Sequence, residues 1–284
     1  MTEATIVTVT HTSRRAGHLD SANFGMFVLN LWRHRALLRH LISRNVRMQY
    51  KQSILGYAWI ILNPLTQLLT LAFIFSVVFP AQHTAGVPYT LFLFVGLLPW
   101  VFFSNAVLGA AESIVGGATL VTAVYFPREI LVVAAILVRF VDLLAGLVIL
   151  LALIIYTGHP IGASAAWLPL LFLLHLIFIS GLSLPLAALN LYFHDVRYLV
   201  GVIIYLWFFL TPILYPLSQV PEEYREIYRI NPNGRLIEAY RYALIENVSP
   251  PLGSVAMIAL LAVISLAVGY FLFKKMEGSF ADYI

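Results

Sequence analysis

Six stretches of bilayer-spanning length, nearly free of charge, constrain this chain more than any other feature. A helix needs about 20 mostly apolar residues to cross roughly 30 Å of hydrocarbon. The runs at 57–79, 90–111, 130–156, 166–189, 198–217 and 254–273 meet that requirement. Turn chemistry separates them, as in Gly86-Val87-Pro88 and Thr157-Gly158-His159-Pro160. Lipid cannot satisfy exposed backbone polar groups, so the runs are expected as helices and the chain as an all-α integral membrane protein with six transmembrane helices. Composition agrees. Only 11% of the 284 residues are charged, against about a quarter in a soluble domain.

Basic residues orient the spans. Arg14, Arg15, Arg33, Arg35, Arg39, Arg44, Arg47 and Lys51 precede the first run, and Lys274 and Lys275 follow the last. The loops at 112–129 and 190–197 hold Arg128 and Arg197, whereas those at 80–89 and 157–165 hold no Lys or Arg. Both termini are therefore expected in the cytoplasm. The segment 218–253 carries Arg225, Arg229, Arg235 and Arg241, balanced by five Glu, and is placed outside. Residues 1–23 form a polar, Thr-rich tail without the apolar core of a signal peptide.

Three segments are not spans. Residues 24–50 read as an amphipathic helix, with Phe24, Phe27, Val28, Leu31, Leu38, Leu41 and Ile42 at helical spacing and Arg33, Arg39 and Arg44 on other faces. Such a helix lies in the membrane interface or, alternatively, is solvated in the cytoplasm. The loop from Glu112 to Glu129 interleaves Ile114, Val115, Leu120, Val121 and Val124 with Gly116 and Gly117, and closes with Phe126-Pro127-Arg128-Glu129. An apolar cytoplasmic helix there wants a partner surface, unless it packs on its own bundle. In 218–253, Pro221-Glu222-Glu223 suits a helix start. Tyr224 and Tyr228 share a face, Asn231-Pro232-Asn233-Gly234 reads as a turn, and Arg235 to Glu246 as a second short helix. This pair is expected as a cap or as re-entrant helices before the last span, or else as a plain hairpin.

Within the spans, Asn63, Pro64, Thr66 and Gln67 interrupt the first run. Polar groups at that depth face protein or a water-filled path, so Trp59, Asn63 and Gln67 are pore candidates, with Tyr224, Tyr228 and Tyr240 as gate candidates. Packing through an interhelical hydrogen bond is the alternative for the polar groups. Arg139 and Asp142 are three apart, on one helix face, and suit a structural ion pair. His175 is a lone histidine to be satisfied by a neighbour. The aromatic residues (15 Tyr, 19 Phe, 5 Trp) serve membrane belts or stacking on sugars.

Catalytic chemistry is hard to find. No cysteine is present, which excludes disulfides, thiolate metal sites and cysteine nucleophiles. The chain has three lysines, Lys51, Lys274 and Lys275, none of them following a phosphate-binding glycine loop. Any ATP and magnesium belong to another chain, so no cofactor is expected here. No nucleic-acid partner is expected either.

The run from Arg44 through Gln49-Tyr50-Lys51 and Gly56-Tyr57-Ala58-Trp59 to Asn63-Pro64-Leu65 resembles the first-span region of the permease subunits of type-2 ABC exporters, nearest to the polysaccharide and polyol phosphate export group. Tyr125-Phe126-Pro127-Arg128-Glu129-Ile130-Leu131 is similar to that family's loop before the third span. Asn190-Leu191-Tyr192-Phe193-His194-Asp195-Val196-Arg197 is similar to its second cytoplasmic loop, with His194 departing where Arg is frequent. Asn231-Pro232, Ile237-Glu238 and Tyr240-Arg241 resemble its outer segment. The resemblance covers about residues 30–276.

It implies a transmembrane domain at 51–276 with a cytoplasmic tail at 277–284. It also implies a second copy of this chain, two copies of an ABC ATPase, and a lipid-linked glycan (O-antigen, capsule or teichoic acid) as cargo in a bacterial inner membrane. Ile114, Leu120, Val124, Phe126, Pro127, Arg128 and Glu129 would then form the ATPase-coupling loop. Arg44, Arg47 and Lys51 would bind a phosphate headgroup at the cytoplasmic mouth. The rivals are a type-2 exporter of drugs or other lipids, a membrane glycosyl- or acyltransferase, and an ion-coupled transporter relying on Asp142.

Overall fold

A computed structural model describes residues 24–51, 53–74, 86–280 and 283. The polar tail 1–23 and the far end of the first apolar run lie outside the described residues. Twelve α-helices follow in the described chain: α1 Phe24–Arg33, α2 Arg35–Tyr50, α3 Trp59–Phe73, α4 Tyr89–Ala111, α5 Ser113–Gly116, α6 Ala118–Ala123, α7 Glu129–Thr157, α8 Leu168–Tyr192, α9 Val196–Phe209, α10 Glu222–Ile230, α11 Pro232–Leu244 and α12 Leu252–Glu277. Four helical segments are long and apolar enough to cross a membrane: α4, α7, α8 with the short turn before it, and α12. The chain is a multi-pass membrane protein.

Helix α4 is buried on nearly every side, as a helix apolar all round must be. It packs on α7, α8, α9 and α11. Helices α8 and α12 form the most extensive pair, and small residues make it possible. A Cβ added at Gly269 would run into the backbone carbonyl of Gly181, and one at Gly181 into the backbone of Ser265 and Leu266. In lipid, helices associate through such close van der Waals contact rather than hydrophobic exclusion.

The bundle has two distinct ends. At one, here the base, Glu129 opens α7 beside Lys274 at the end of α12. The Tyr192 hydroxyl donates to the Met276 carbonyl, and Arg197 at the start of α9 pairs with Glu112 at 3.3 Å. At the other, the rim, the Tyr89 hydroxyl donates to the Leu214 carbonyl at 2.7 Å. There Asn247 also ties the loop after α7, accepting from Gly162 N–H at 2.7 Å and donating to the Pro160 carbonyl at 2.9 Å. The described parts of the loops at 112–129 and 190–197 thus gather at the base, and those of 157–165 and 218–253 at the rim.

Several boundaries differ from the sequence reading. The helix expected over 24–50 is broken at His34 into α1 and α2. The fifth run, expected over 198–217, stops being helical at Phe209. Pro212 has no N–H to continue the ladder and disfavours helix in the residue before it. Helix α3 runs through Pro64 without interruption. The Asn231–Gly234 segment is the first turn of α11 rather than a turn between helices. Asn231 is its N-cap, accepting from Asn233 N–H at 3.1 Å, and Pro232 takes the first helical position. In the stretch expected as a tail, Phe280 is fully buried beside Phe273 and Tyr192.

Candidate functional site

Two open clefts run along the flank of α3. The first, of about 260 Å³, is lined by Trp59, Asn63, Gln67, Asn105, Arg139 and Asp142 among others, with Gln49 at the end of α2 joining them. The second, of about 470 Å³, adds Thr70, Trp100, Ser104 and Phe208, and shares Thr66, Gln67, Val101 and Asn105 with the first. Asn63, Thr66, Gln67 and Thr70 are spaced three and four apart, so they form one stripe down the helix. Opposite it, α4 contributes Ser104 and Asn105.

Arg139 and Asp142 pair at 3.2 Å, the contact their spacing predicts. They are partly exposed to the first cleft, so the ion pair can hydrogen-bond a guest while neutralising itself. Amides, hydroxyls, a paired guanidinium and carboxylate, and the Trp59 indole make a lining suited to a hydroxyl-rich solute, because both donors and acceptors are on offer. Thr70, Ser104 and Asn105 are lining residues that sequence reasoning missed. For Thr70 the signal was its helical spacing from Asn63 and Gln67; Ser104 and Asn105 lie on α4 and share no such spacing.

The other candidates scatter. Tyr240 is buried, beside Phe172 and His175 in the core, so it lines no open path. His175 is itself enclosed by Phe102, Phe103 and Tyr240. Tyr224 is exposed on α10, and the Tyr228 hydroxyl lies 3.0 Å from that of Tyr215. Burial, and then the Tyr228 hydroxyl, raises the Tyr215 phenol well above its ordinary pKa. Arg47 and Lys51 are exposed at the end of α2, flanking Gln49, while Arg44 is spent partly on Asn45.

The base loop differs most from expectation. It folds as two short helices, α5 and α6, rather than one. Ile114 is 0% exposed and Phe126 is also buried, packed within the chain. Glu129 is likewise 0% exposed. These three support the loop from beneath. What it presents outward is Thr119, Thr122, Ala123, Val124 and Tyr125, with Tyr125 at 98% exposure. Leu120, Pro127 and Arg128 are half-buried at its edges.

Comparison with known proteins agrees with this architecture. The chain is 32% identical over 263 residues to the O-antigen export system permease protein RfbA of Myxococcus xanthus, covering 90% of this chain and 98% of that one. It is 29% identical over 248 residues to RfbA of Klebsiella pneumoniae, covering 87% and 94%. It is 25% identical over 247 residues to the polysialic acid transport protein KpsM of Escherichia coli, covering 84% and 92%. Residues 36–245, which include both clefts and the base loop, match the ABC-2 type transporter domain, and the chain belongs to that family.

Proposed function

We propose that this chain is the membrane-spanning permease subunit of an ATP-driven exporter that carries a lipid-linked polysaccharide of the O-antigen or capsular type across a bacterial inner membrane. The observation that carries the reading is the near end-to-end match to an O-antigen export permease, 98% of whose length is covered. The polar stripe of α3, facing Ser104 and Asn105, supports a hydroxylated cargo over a purely apolar one.

Two copies of this chain would work with two copies of a separate ATPase, which binds ATP and magnesium. The chain is then a transport subunit rather than an enzyme. Six spans complete the path, α3 and α9 being the two whose described helices are short. The base is cytoplasmic, with both termini, and α10 and α11 dip in from the outer face. Arg47 and Lys51 offer cations to a phosphate headgroup at the cytoplasmic mouth. The surface of α6 through Tyr125 meets the ATPase.

Two measurements test this. Because the chain has no cysteine, single cysteines report cleanly. Tyr125→Cys is expected to crosslink to the partner ATPase, and Ile114→Cys is not. Crosslinking at both positions or at neither removes the coupling surface. In a strain lacking the chain, polymer is expected to accumulate inside the cell and return to the surface with the wild type. The pair Asn63→Leu and Gln67→Leu, expressed at wild-type level, is expected to cut export about tenfold by removing two sets of hydrogen bonds. Unchanged export would separate the stripe from the path.

A further inference from the structure

The base holds a charge cluster that the cargo path does not use. Glu129 has both carboxylate oxygens engaged, one by Asn30 Nδ2 at 2.8 Å and the other by Lys274 Nζ at 2.9 Å. Lys274 also donates to Glu277 Oε2 at 2.7 Å. Glu277 in turn receives the Arg128 backbone N–H at 3.3 Å on its other oxygen, and its own carbonyl accepts from the Arg128 guanidinium at 2.8 Å. The Arg128 guanidinium also lies over the buried Phe280 ring, and the Lys274 ammonium over Tyr270.

Four elements therefore meet at one buried carboxylate and its lysine: α1, the return limb of the base loop, the start of α7, and the end of α12. Burying Glu129 without a cation would cost several kcal/mol, so the cluster makes one arrangement of these elements strongly preferred. Packing alone, with no hydrogen-bonded charges, tolerates sliding far better. By contrast, the outgoing limb of the loop is held by packing of the buried Ile114, and its exposed Arg197–Glu112 pair adds little. The buried charge cluster thus fastens the return limb, whereas the outgoing limb rests on apolar packing.

We infer that Lys274 is a positioning residue for energy coupling: its bridge between Glu129 and Glu277 joins the return limb of the base loop to α12, so that a displacement of the loop moves α12 and the α8 packed against it through Gly181 and Gly269. This rests on the reading of the loop as the ATPase contact, but its mechanical part can be tested without the ATPase. A population shift at the loop reaches the bundle only if the two states differ in contacts shared by both, and this cluster supplies those contacts.

The test uses the full chain in lipid nanodiscs, with copies spin-labelled at Tyr125→Cys and Lys275→Cys, both exposed positions outside the cluster, diluted in an excess of cysteine-free copies so that only the distance within one chain is read. Wild type is expected to show one narrow distance distribution. Glu129→Gln with Lys274→Met, which removes the two paired charges together, is expected to broaden it. Lys274→Arg, which keeps the cation, is expected to leave it narrow. With the ATPase bound, the double variant is expected to hydrolyse ATP within about twofold of wild type while export per ATP falls about tenfold. A distribution equally narrow in wild type and double variant, or export per ATP unchanged in a folded double variant, overturns the proposal. If the double variant does not fold, Lys274→Gln is read in the same two assays: a broadened distribution with lowered export per ATP supports the proposal, and a narrow one with export per ATP unchanged overturns it. Failure of Tyr125→Cys to reach the ATPase would instead remove the coupling surface and leave the distance result standing.

Discussion

Arg241→Leu is expected to lower the thermal midpoint of the detergent-solubilised protein by about 10 °C, from a loss of roughly 3–5 kcal/mol. The Arg241 side chain lies in the interior beneath the rim. One guanidinium nitrogen donates to the Pro212 carbonyl at 2.6 Å and another to the Ile213 carbonyl at 2.7 Å. Its plane lies 3.7 Å over the Phe92 ring of α4. Gly96 leaves the room it needs, since a Cβ there would press on the guanidinium at 2.7 Å. The two carbonyls belong to the segment where α9 unwinds, so they have no helical partners of their own. Leucine would leave both unpaired in apolar surroundings, and no water replaces the donors at that depth. Lysine is expected to recover only part of the loss, because one ammonium cannot span two carbonyls and lie flat on a ring. Melting of the leucine variant with the wild type would show that the unwound segment holds itself.

The second large effect concerns the α8–α12 pair. Gly269→Leu is expected to prevent recovery of folded protein from the membrane. The obstruction at Gly269 is backbone, the Gly181 carbonyl, and backbone in the middle of two helices cannot turn aside as a side chain can. The helices would have to separate by a side chain's width. That loses dispersion contacts along their length and removes the closest packing in the bundle. A penalty of about 3 kcal/mol or more follows from overpacking of this kind. Gly278→Leu is the matched control, since nothing lies within 4 Å of a Cβ added there. Size-exclusion profiles and membrane yield decide the matter. A monodisperse Gly269→Leu protein at wild-type yield would mean that the pair is held elsewhere.

The long apolar helices were legible because bilayer thickness imposes a length that composition can be counted against. α4, α7, α8 and α12 fall within a few residues of the runs at 90–111, 130–156, 166–189 and 254–273. α9 was misjudged in length because Leu210, Ile213, Leu214 and Leu217 keep the segment apolar past the point where Pro212 ends the helix. Hydropathy measures partitioning and is blind to the ladder. Asn231-Pro232 was ambiguous for a related reason: an Asn before Pro serves a turn and a helix N-cap through the same local hydrogen bond. In the base loop, the apolar pattern could not say which of Ile114, Val124 and Phe126 faces inward. That depends on α8, which packs on α5, and on α2, whose Leu41 joins Val121 and Phe126 in one apolar cluster, both remote in sequence. The stripe on α3 was mostly visible, through Asn63, Thr66 and Gln67, and only Thr70 was missed. Arg241 carried no local sign of its partners, since they lie 28 and 29 residues away.

The separation of Glu129 from Lys274 also has a consequence during synthesis. The two residues are 145 positions apart, so at roughly 5–20 residues per second the carboxylate waits about 7–30 s on the ribosome before its lysine is made. Asn30 already exists by then, but it brings no charge. Gly181 likewise waits for Gly269. The nascent polypeptide is therefore threaded into the bilayer well before its base can lock, and stalling anywhere short of residue 274 leaves an inserted intermediate with an open seam for quality control to recognise.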